Sequence, residues 1–315
     1  MIRKTLWAAA VVIVLITAAV GCTAQVGSVP EETENLVVIT TPSPIPPTPT
    51  PTPKKTTEPE PDPEPVAVIS VEEGDTLERD ILLEITKAFD ISEDDAKQAL
   101  SECPDSFLIN PKLTGFRRME GIILPLEYEV YEEDTLEDVI ASWVKQAEQR
   151  YENIDAGIEN QNELEPYERL VLASIIEWEC IANEYHSETS AVFLNRLDRG
   201  MKLQSCVTSE YAIGFQRPFL YTADTKVESP YNTYYIKGLP IGPICCPDDE
   251  SIKAASSVSA DDSLMFFFYN YVEDEMFFFA DYEDFKREGR ASREQYESEL
   301  TLPPHEVIDK REVFG

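Results

Sequence analysis

The chain has 315 residues, of which 43% are apolar, enough to bury a core in one or two domains. Its formal net charge of −34 at pH 7 argues against a nucleic-acid partner, because phosphate binding needs clustered lysines and arginines. Two histidines and no spaced CxxC pair argue against a structural zinc site. Nothing else in the sequence implies a metal or an organic cofactor, so we expect neither.

The N-terminus has the layout of a secretory signal. Arg3 and Lys4 precede an uncharged apolar run, residues 6–20, and small residues then lead to Cys22. Small residues that end at a cysteine resemble the lipobox of bacterial lipoproteins, in which the cysteine is acylated. An uncleaved transmembrane helix is the alternative, although this run is shorter than the about 20 residues that span a bilayer. Residues 1–22 are therefore predicted to anchor the rest of the chain at the extracytoplasmic face of the cell membrane.

Residues 23–65 are predicted to be a linker. Residues 42–65 contain eleven of the 23 prolines, interleaved with threonine and glutamate. Proline cannot donate to a helix or a sheet ladder, so this composition favours polyproline II. At about 3.1 Å per residue, the segment has a reach of roughly 70 Å from its anchor.

A small module with helices and a strand is predicted next, over residues 66–151. The apolar spacing gives a strand, two short helices and a long connecting helix. Ser92 is placed to cap the second short helix. The predicted ranges are 66–71 for the strand and 79–89, 93–101 and 135–151 for the helices.

Residues 152–315 are predicted to form a second, larger domain. Its helices and strands are mixed without a regular βαβ alternation, so the fold class is α+β. A long loop region rich in tyrosine, glycine and proline, residues 204–247, interrupts it. The predicted helices are 166–183, 187–199 and 249–257, and the predicted strands are 264–271 and 275–280.

One carboxyl group lies on the apolar side of a predicted helix. At about 100° per residue, Leu172, Ile175 and Ile176 share a face. Glu179 falls in the middle of that face, and Glu177 points almost the opposite way, as a solvated residue would. Burial raises the pKa of a carboxyl group, and a carboxyl group that keeps its proton near neutral pH suits general acid catalysis. The alternative is that Glu179 caps a backbone or pairs with an arginine such as Arg196.

Five blocks of sequence then resemble the endolytic murein transglycosylase family, also called YceG-like. They occur in one order between about residues 71 and 285. The blocks are EG with a following proline and tyrosine at 120–128, ASIIEWEC at 173–180, VFLNRLDRGMKLQSC at 192–206, SPYNTY with GLPIGPI at 229–244, and SIKAA at 251–255. The resemblance implies a LysM-like N-terminal module and a mixed α+β catalytic domain.

The resemblance also implies an activity. Members of this family cut the β-1,4 bond between N-acetylmuramic acid and N-acetylglucosamine in peptidoglycan, and they leave a 1,6-anhydro sugar. They are lytic transglycosylases, which are carbon–oxygen lyases, and one carboxyl group serves as both acid and base. The family's catalytic glutamate falls on Glu179, the residue that the helical pattern also selects. The family further implies that the enzyme trims nascent strands beside membrane-bound peptidoglycan synthases.

Several other matched positions have predicted roles. Polar side chains in the loop region are expected to bind the sugars, and residues on the neighbouring helices are expected to support the site. The expected sugar ligands are Gln204, Tyr231, Asn232 and Thr233, and the expected supporting residues are Glu177, Asn195 and Arg196. Ordinary turn and surface polarity is the alternative for the loop residues.

The chain departs from the family pattern at several of these blocks. Cys180 replaces the threonine after the catalytic glutamate, Cys206 replaces an acidic residue, and residues 274–279 lack the histidine of the family's GGHxF. In an oxidising compartment, Cys180 and Cys206 either form a disulfide bond or remain two independent thiols. The departures leave a second interpretation of the whole chain open, a non-catalytic lipoprotein that binds peptidoglycan without cutting it.

Overall fold

The computed structural model describes residues 64–159, 161–180, 182–299 and 303–308. All of them lie in the second of the two units into which the chain divides, Glu60–Gly315. The predicted signal with Cys22, and the predicted linker as far as residue 63, lie outside the described residues. These predictions, and the predicted division at residue 151, stay predictions.

The first described elements form a strand–helix–helix–strand module. Strand β1 (Ala67–Ser70) pairs antiparallel with strand β2 (Glu127–Val130). Helices α1 (Leu82–Phe89) and α2 (Glu93–Ser101) lie between them in the chain, and a π-helical turn leads into α1. The Ser92 hydroxyl accepts a hydrogen bond from the Asp95 amide at 3.2 Å, so Ser92 caps α2 as its sequence predicts.

A long helix, α3 (Leu136–Asp155), follows this module. Thr135 occupies its N-cap position, and the Thr135 hydroxyl accepts a hydrogen bond from the Asp138 amide at 3.2 Å. The helix is four residues longer at its C-terminal end than predicted. Its buried face includes Trp143 and Tyr151, which pack into the main core.

Helix α4 organises the second half of the molecule, because three other helices pack against it. The helices are α4 (Pro166–Glu179), α5 (His186–Asp198), α6 (Cys206–Ile213) and α7 (Asp249–Ser256). The prediction that α4 reaches residue 183 is wrong, because Cys180 adopts an extended conformation with φ −103° and ψ 128°. Helix α6 lies inside the region that was predicted to be a loop.

An aromatic hairpin and a final helix complete the described part of the chain. Strands β3 (Phe266–Asn270) and β4 (Glu275–Phe279) pair antiparallel, with Phe268 opposite Phe277. Helix α8 (Tyr282–Glu299), which was not predicted, packs against both strands. None of the helices in the described part is long and apolar enough to cross a membrane.

One hydrophobic cluster joins the two halves. It extends from Ile69 of β1 through Trp143 of α3 to Ile176 of α4 and Phe193 of α5. The sheets within the described residues are both two-stranded and antiparallel, and helices cover them. The predicted α+β class is therefore confirmed.

Candidate active site

Glu179 is the last residue of α4, and the early end of this helix determines its surroundings. One turn before it, Ile175 and Ile176 are fully buried, whereas Glu179 itself is half-buried. The hydroxyl of Ser205 donates a hydrogen bond to Glu179 Oε1 at 2.6 Å. The carboxyl group is thus held by the protein on one side while it borders open space on another.

That open space is a cavity of about 610 Å³ around the C-terminal end of α4. Residues 177–180 all line it, so both glutamates of the helix end border the same cavity. Arg196 and Gln204 add polar groups to its wall. Much of the remaining wall is aromatic and comes from Trp178, Phe219, Tyr234, the rings of residues 266–269, Tyr271, Tyr282 and Phe285. Flat apolar rings beside a few polar groups suit a carbohydrate chain, whose sugars have apolar faces and polar edges.

The prediction that Glu177 is a solvated helix residue is wrong. Its Oε2 accepts hydrogen bonds from the Asp248 amide at 2.9 Å and from the Ser251 hydroxyl at 2.8 Å. The N-terminus of α7 therefore lies against this side chain and shields part of it from water. Burial raises the pKa of Glu177 to about 7, and the negative charge of Asp248 adds to this rise. The contacts fit its predicted supporting role.

Trp178 lies between the two glutamates and connects α4 to the N-terminal module. Its indole nitrogen donates a hydrogen bond to the Gly74 carbonyl at 2.9 Å. The indole also makes an edge contact with Tyr211, at 6.3 Å between ring centroids. The helix end that carries Glu179 is thus braced from the module as well as from α6.

Helix α5 supports the cavity from a third side, with contacts that fit the predicted role of two of its residues. The Asn195 amide donates to the carbonyls of Asp261 and Leu264, at 2.7 and 2.9 Å. Arg196 Nε donates to the Met265 carbonyl at 2.8 Å, and Nη1 donates to the Leu203 carbonyl. Both side chains hold the segment before β3, and burial lowers the pKa of Arg196.

The four predicted sugar ligands separate into two groups. Gln204 lines the cavity, and its backbone adopts a left-handed conformation with φ 51°. Tyr231, Asn232 and Thr233 are buried and lie outside the cavity lining. Their role as direct sugar ligands stays a prediction, because the cavity wall gives it no support.

Asn232 and Thr233 instead hold neighbouring loops together. Asn232 Oδ1 accepts a hydrogen bond from the Ser209 hydroxyl at 2.9 Å, and its amide donates to the Val227 carbonyl at 2.8 Å. Thr233 Oγ1 accepts a hydrogen bond from the Ser205 amide at 2.9 Å. Thr233 therefore stands behind the serine that contacts Glu179.

Ser205 is the residue that sequence reasoning missed. It belongs to the VFLNRLDRGMKLQSC block, between Gln204 and Cys206, and it precedes a helix that was not predicted. Serine before the start of a helix is the usual N-cap signal. Reading residue 205 in this way would have predicted the start of α6, although its hydroxyl donates to Glu179 and does not cap the helix.

None of the five cysteines in the described part of the chain forms a disulfide bond. The Cys180 thiol donates to the Thr189 hydroxyl at 3.2 Å, and Cys206 Sγ lies 3.3 Å from the Tyr234 hydroxyl. A bridge between Cys180 and Cys206 is therefore absent, and the alternative of two independent thiols describes the structure. Both cysteines line the cavity, and burial raises the pKa of the Cys180 thiol.

The described residues contain no group of three or more histidine, cysteine, aspartate or glutamate side chains that could hold a metal ion. His186 is buried against Ser251, with 3.5 Å between its Nδ1 and the serine hydroxyl. His305 stacks on Tyr221 at 3.8 Å between ring centroids. His305 Nδ1 also lies 2.7 Å from the backbone carbonyl oxygen of Phe219, a residue that lines the cavity.

Comparison with known proteins points to one family. The endolytic murein transglycosylase of Bacillus subtilis strain 168 is 34% identical over 149 residues, which are 47% of this chain and 41% of the relative. The protein of the same name from Streptococcus pneumoniae serotype 2 strain D39 is 32% identical over 176 residues, 54% of this chain and 32% of the relative. The matched segments thus span less than half of each relative.

A solved structure gives the same indication. The crystal structure of a protein described as YceG-like, from Listeria monocytogenes, superimposes with a TM-score of 0.60 at 25% identity, over 71% of this chain and 75% of that one. A sequence profile of the YceG-like family matches residues 54–291, more than half of this chain. The chain therefore belongs to the YceG-like family.

Proposed function

We propose that this chain is a lytic transglycosylase of peptidoglycan and that Glu179 is its acid/base residue. The observation that carries the proposal is the position of Glu179. It is a half-buried carboxyl group at the end of a helix, and it borders a cavity of about 610 Å³ with an aromatic wall. The relatives named endolytic murein transglycosylase support the substrate class.

In the proposed reaction, protonated Glu179 gives its proton to the oxygen of the β-1,4 bond between N-acetylmuramic acid and N-acetylglucosamine. The bond from C1 of the muramic acid to that oxygen then breaks, and an oxocarbenium-like centre develops. The carboxylate next takes the proton from the C6 hydroxyl of the same sugar, whose oxygen bonds to C1. No water is consumed, so a second carboxylate that activates water is not required, in contrast to an inverting hydrolase.

The surroundings of Glu179 support these steps. Apolar rings line the cavity beside Glu179, and they offer faces on which sugars stack. Arg196 also lines this cavity, and its guanidinium, held by the carbonyls of Met265 and Leu203, contributes positive charge near Glu179. Gln204 supplies an amide for hydrogen bonds with sugar hydroxyl groups.

A mass-based assay tests this proposal. The full chain in detergent is incubated with uncrosslinked glycan strands, and the products are analysed by mass spectrometry. We expect fragments that are one water lighter than hydrolysis products, and we expect Glu179→Gln to abolish them. Glu184→Gln, an exposed glutamate just after α4, is the control and should leave the products unchanged. Intact strands that remain bound to the protein would instead favour a non-catalytic peptidoglycan-binding lipoprotein.

We further propose that the enzyme is lipid-anchored at the extracytoplasmic face of the membrane and acts on nascent strands beside peptidoglycan synthases. The apolar run before Cys22 and the proline-rich segment after it support this location. Metabolic labelling with a fatty acid should mark the full chain, and Cys22→Ala should lose the label. A chain that stays in the membrane without any label would favour a transmembrane helix.

A further inference from the structure

We propose that Ser205 is a positioning residue for Glu179 and that it determines which carboxyl oxygen carries the transferable proton. The inference rests on the proposed function. Ser205 occupies the N-cap position of α6, with φ −79° and ψ 127°, yet its side chain makes no cap hydrogen bond. The hydroxyl is used across the site instead, because it donates to Glu179 Oε1 at 2.6 Å.

The backbone of Ser205 is held in place from two directions. Its amide donates to Thr233 Oγ1 at 2.9 Å, and its carbonyl accepts a hydrogen bond from the Thr208 hydroxyl at 2.8 Å. The two threonine hydroxyl groups also lie 2.8 Å from each other. Since Ser205 is only 2% exposed, this frame leaves its hydroxyl little freedom to rotate toward water. Its direction toward Glu179 is therefore set before any substrate binds.

This direction has a chemical consequence. An oxygen that accepts a hydrogen bond from Ser205 is the carbonyl oxygen of the neutral acid, so the acid proton belongs on Oε2. When that proton moves to the glycosidic oxygen, its electron pair stays on the carboxylate. The hydrogen bond from Ser205 then becomes charge-assisted and stronger, and 2.6 Å lies within the range of about 2.5–2.7 Å for such bonds. Ser205 thus stabilises the charge that develops on Glu179 as the glycosidic bond breaks.

The position of α6 adds to this effect. Ser205 brings the carboxyl group next to the first turn of the helix, where the aligned peptide groups carry partial positive charge. Ser205 itself does not line the cavity, so it acts through Glu179 rather than on the glycan. A change at Ser205 should therefore alter kcat and leave KM nearly unchanged.

Four variants test the proposal, all as full chains in detergent with the mass-based assay. Ser205→Ala should lower kcat by about 10- to 100-fold, the loss expected for one hydrogen bond to a charged group. Ser205→Thr keeps the hydroxyl and should retain kcat within about threefold. Should Ser205→Ala fail to fold, Ser205→Gly replaces it, because glycine is accepted at N-caps.

Ser209→Ala is the matched control. Ser209 is a fully buried serine on the same helix, and its hydroxyl donates to Asn232 rather than to Glu179. A comparable drop in thermal stability for the two alanine variants, with loss of kcat only for Ser205→Ala, supports the proposal. An equal loss of kcat in both variants overturns it.

The pH profile provides a readout that a purely structural role would not change. Without the donor, the ionised acid is less favoured, so the alkaline limb of the kcat profile should move to higher pH in Ser205→Ala. Arg196, Cys180 and Tyr234 also interact electrostatically with Glu179, and all of the variants keep them. An active wild-type chain with an unchanged profile in Ser205→Ala overturns this inference alone. A wild-type chain that releases no anhydro product overturns the proposed function and the inference together.

Discussion

Tyr211 donates its hydroxyl hydrogen to Glu120 Oε2 at 2.6 Å, so a fully buried carboxyl group ties α6 to the chain before β2. The Leu77 amide donates to the other oxygen, Oε1, at 2.9 Å. Arg117 in turn donates to the Tyr211 hydroxyl. Three segments of the chain therefore meet at Glu120, and α6 is the helix whose N-cap serine contacts Glu179.

The stability of the chain should depend on pH through Glu120. Burial raises the pKa of Glu120 from 4.5 to about 7, so the folded state binds a proton more tightly than the unfolded chain. The stabilisation of the folded state by protonated Glu120 is fully present below pH 4.5 and is lost as the pH rises through about 7. The shift in the pKa of Glu120 corresponds to a change of about 3 kcal/mol at most in the free energy of unfolding.

Chemical denaturation of the wild-type chain and Glu120→Gln, at pH values between 4 and 8, measures this contribution. The wild-type free energy of unfolding should fall relative to that of the variant as the pH rises. Glu177 also has a pKa of about 7, but both proteins keep it, so its effect cancels in the difference. A difference that stays constant over this range would contradict the prediction.

Gly121 should be intolerant of a side chain for two separate reasons. Its φ is +72°, and an added Cβ would lie 2.7 Å from Pro243 Cβ and 3.0 Å from the Cys245 carbonyl oxygen. Gly121→Ala should therefore lower the free energy of unfolding by about 2 to 4 kcal/mol. Gly115 is the matched control, because its φ is +71° and an added Cβ would meet nothing within 4 Å.

In Gly115→Ala only the left-handed backbone is unfavourable, so this variant should lower the free energy of unfolding by about 1 kcal/mol. Urea denaturation of both variants separates this backbone cost from the steric cost. Equal losses at the two positions would show that the contact with Pro243 does not limit the fold.

The elements that follow from local sequence signals were predicted well. Ser92 marks the start of α2 by its own side chain, and the apolar face of α4 selects Glu179. The predicted start of α3 was one residue early, because Thr135 is its N-cap and not its first residue. Helix α6 was missed because four consecutive residues, 207–210, are buried, which leaves no amphipathic pattern to detect. Helix α8 was missed for the opposite reason, since only Ser292 and Tyr296 are buried along it.

The contacts that build the site could not be predicted, because they join residues far apart in the chain. Glu177 is partly shielded from water because the N-terminus of α7, 71 residues later in the chain, packs against it. Ser205 reaches Glu179 across 26 residues. Periodicity along one helix describes which side faces the core, but it contains no information on a second element that covers the other side.

The two carboxyl groups at the end of α4 should differ sharply in their effect on catalysis. Both border the cavity, but the Glu177 oxygen that faces α7 is already an acceptor for two hydrogen bonds. The amide oxygen of a glutamine can accept the same two bonds. Glu177→Gln should therefore keep kcat within about tenfold of the wild-type value, whereas Glu179→Gln should lower kcat by at least about a thousandfold. Anhydro-product release by each variant measures the difference, and the opposite ranking would assign the acid to Glu177.

The aromatic hairpin should determine how tightly glycan binds. Phe268 lines the cavity, is half-buried, and stacks on Phe277 and Phe279 at 5.6 and 5.5 Å between ring centroids. Phe268→Ala should raise KM about tenfold with a smaller change in kcat, because one stacking contact is worth about 0.5–1.5 kcal/mol and the disturbed stack adds to this loss. Phe107→Ala is the control, since Phe107 is 41% exposed and lies outside the cavity lining. Steady-state kinetics on glycan strands of defined length give both constants. An unchanged KM in Phe268→Ala would show that the sugars contact another part of the cavity wall.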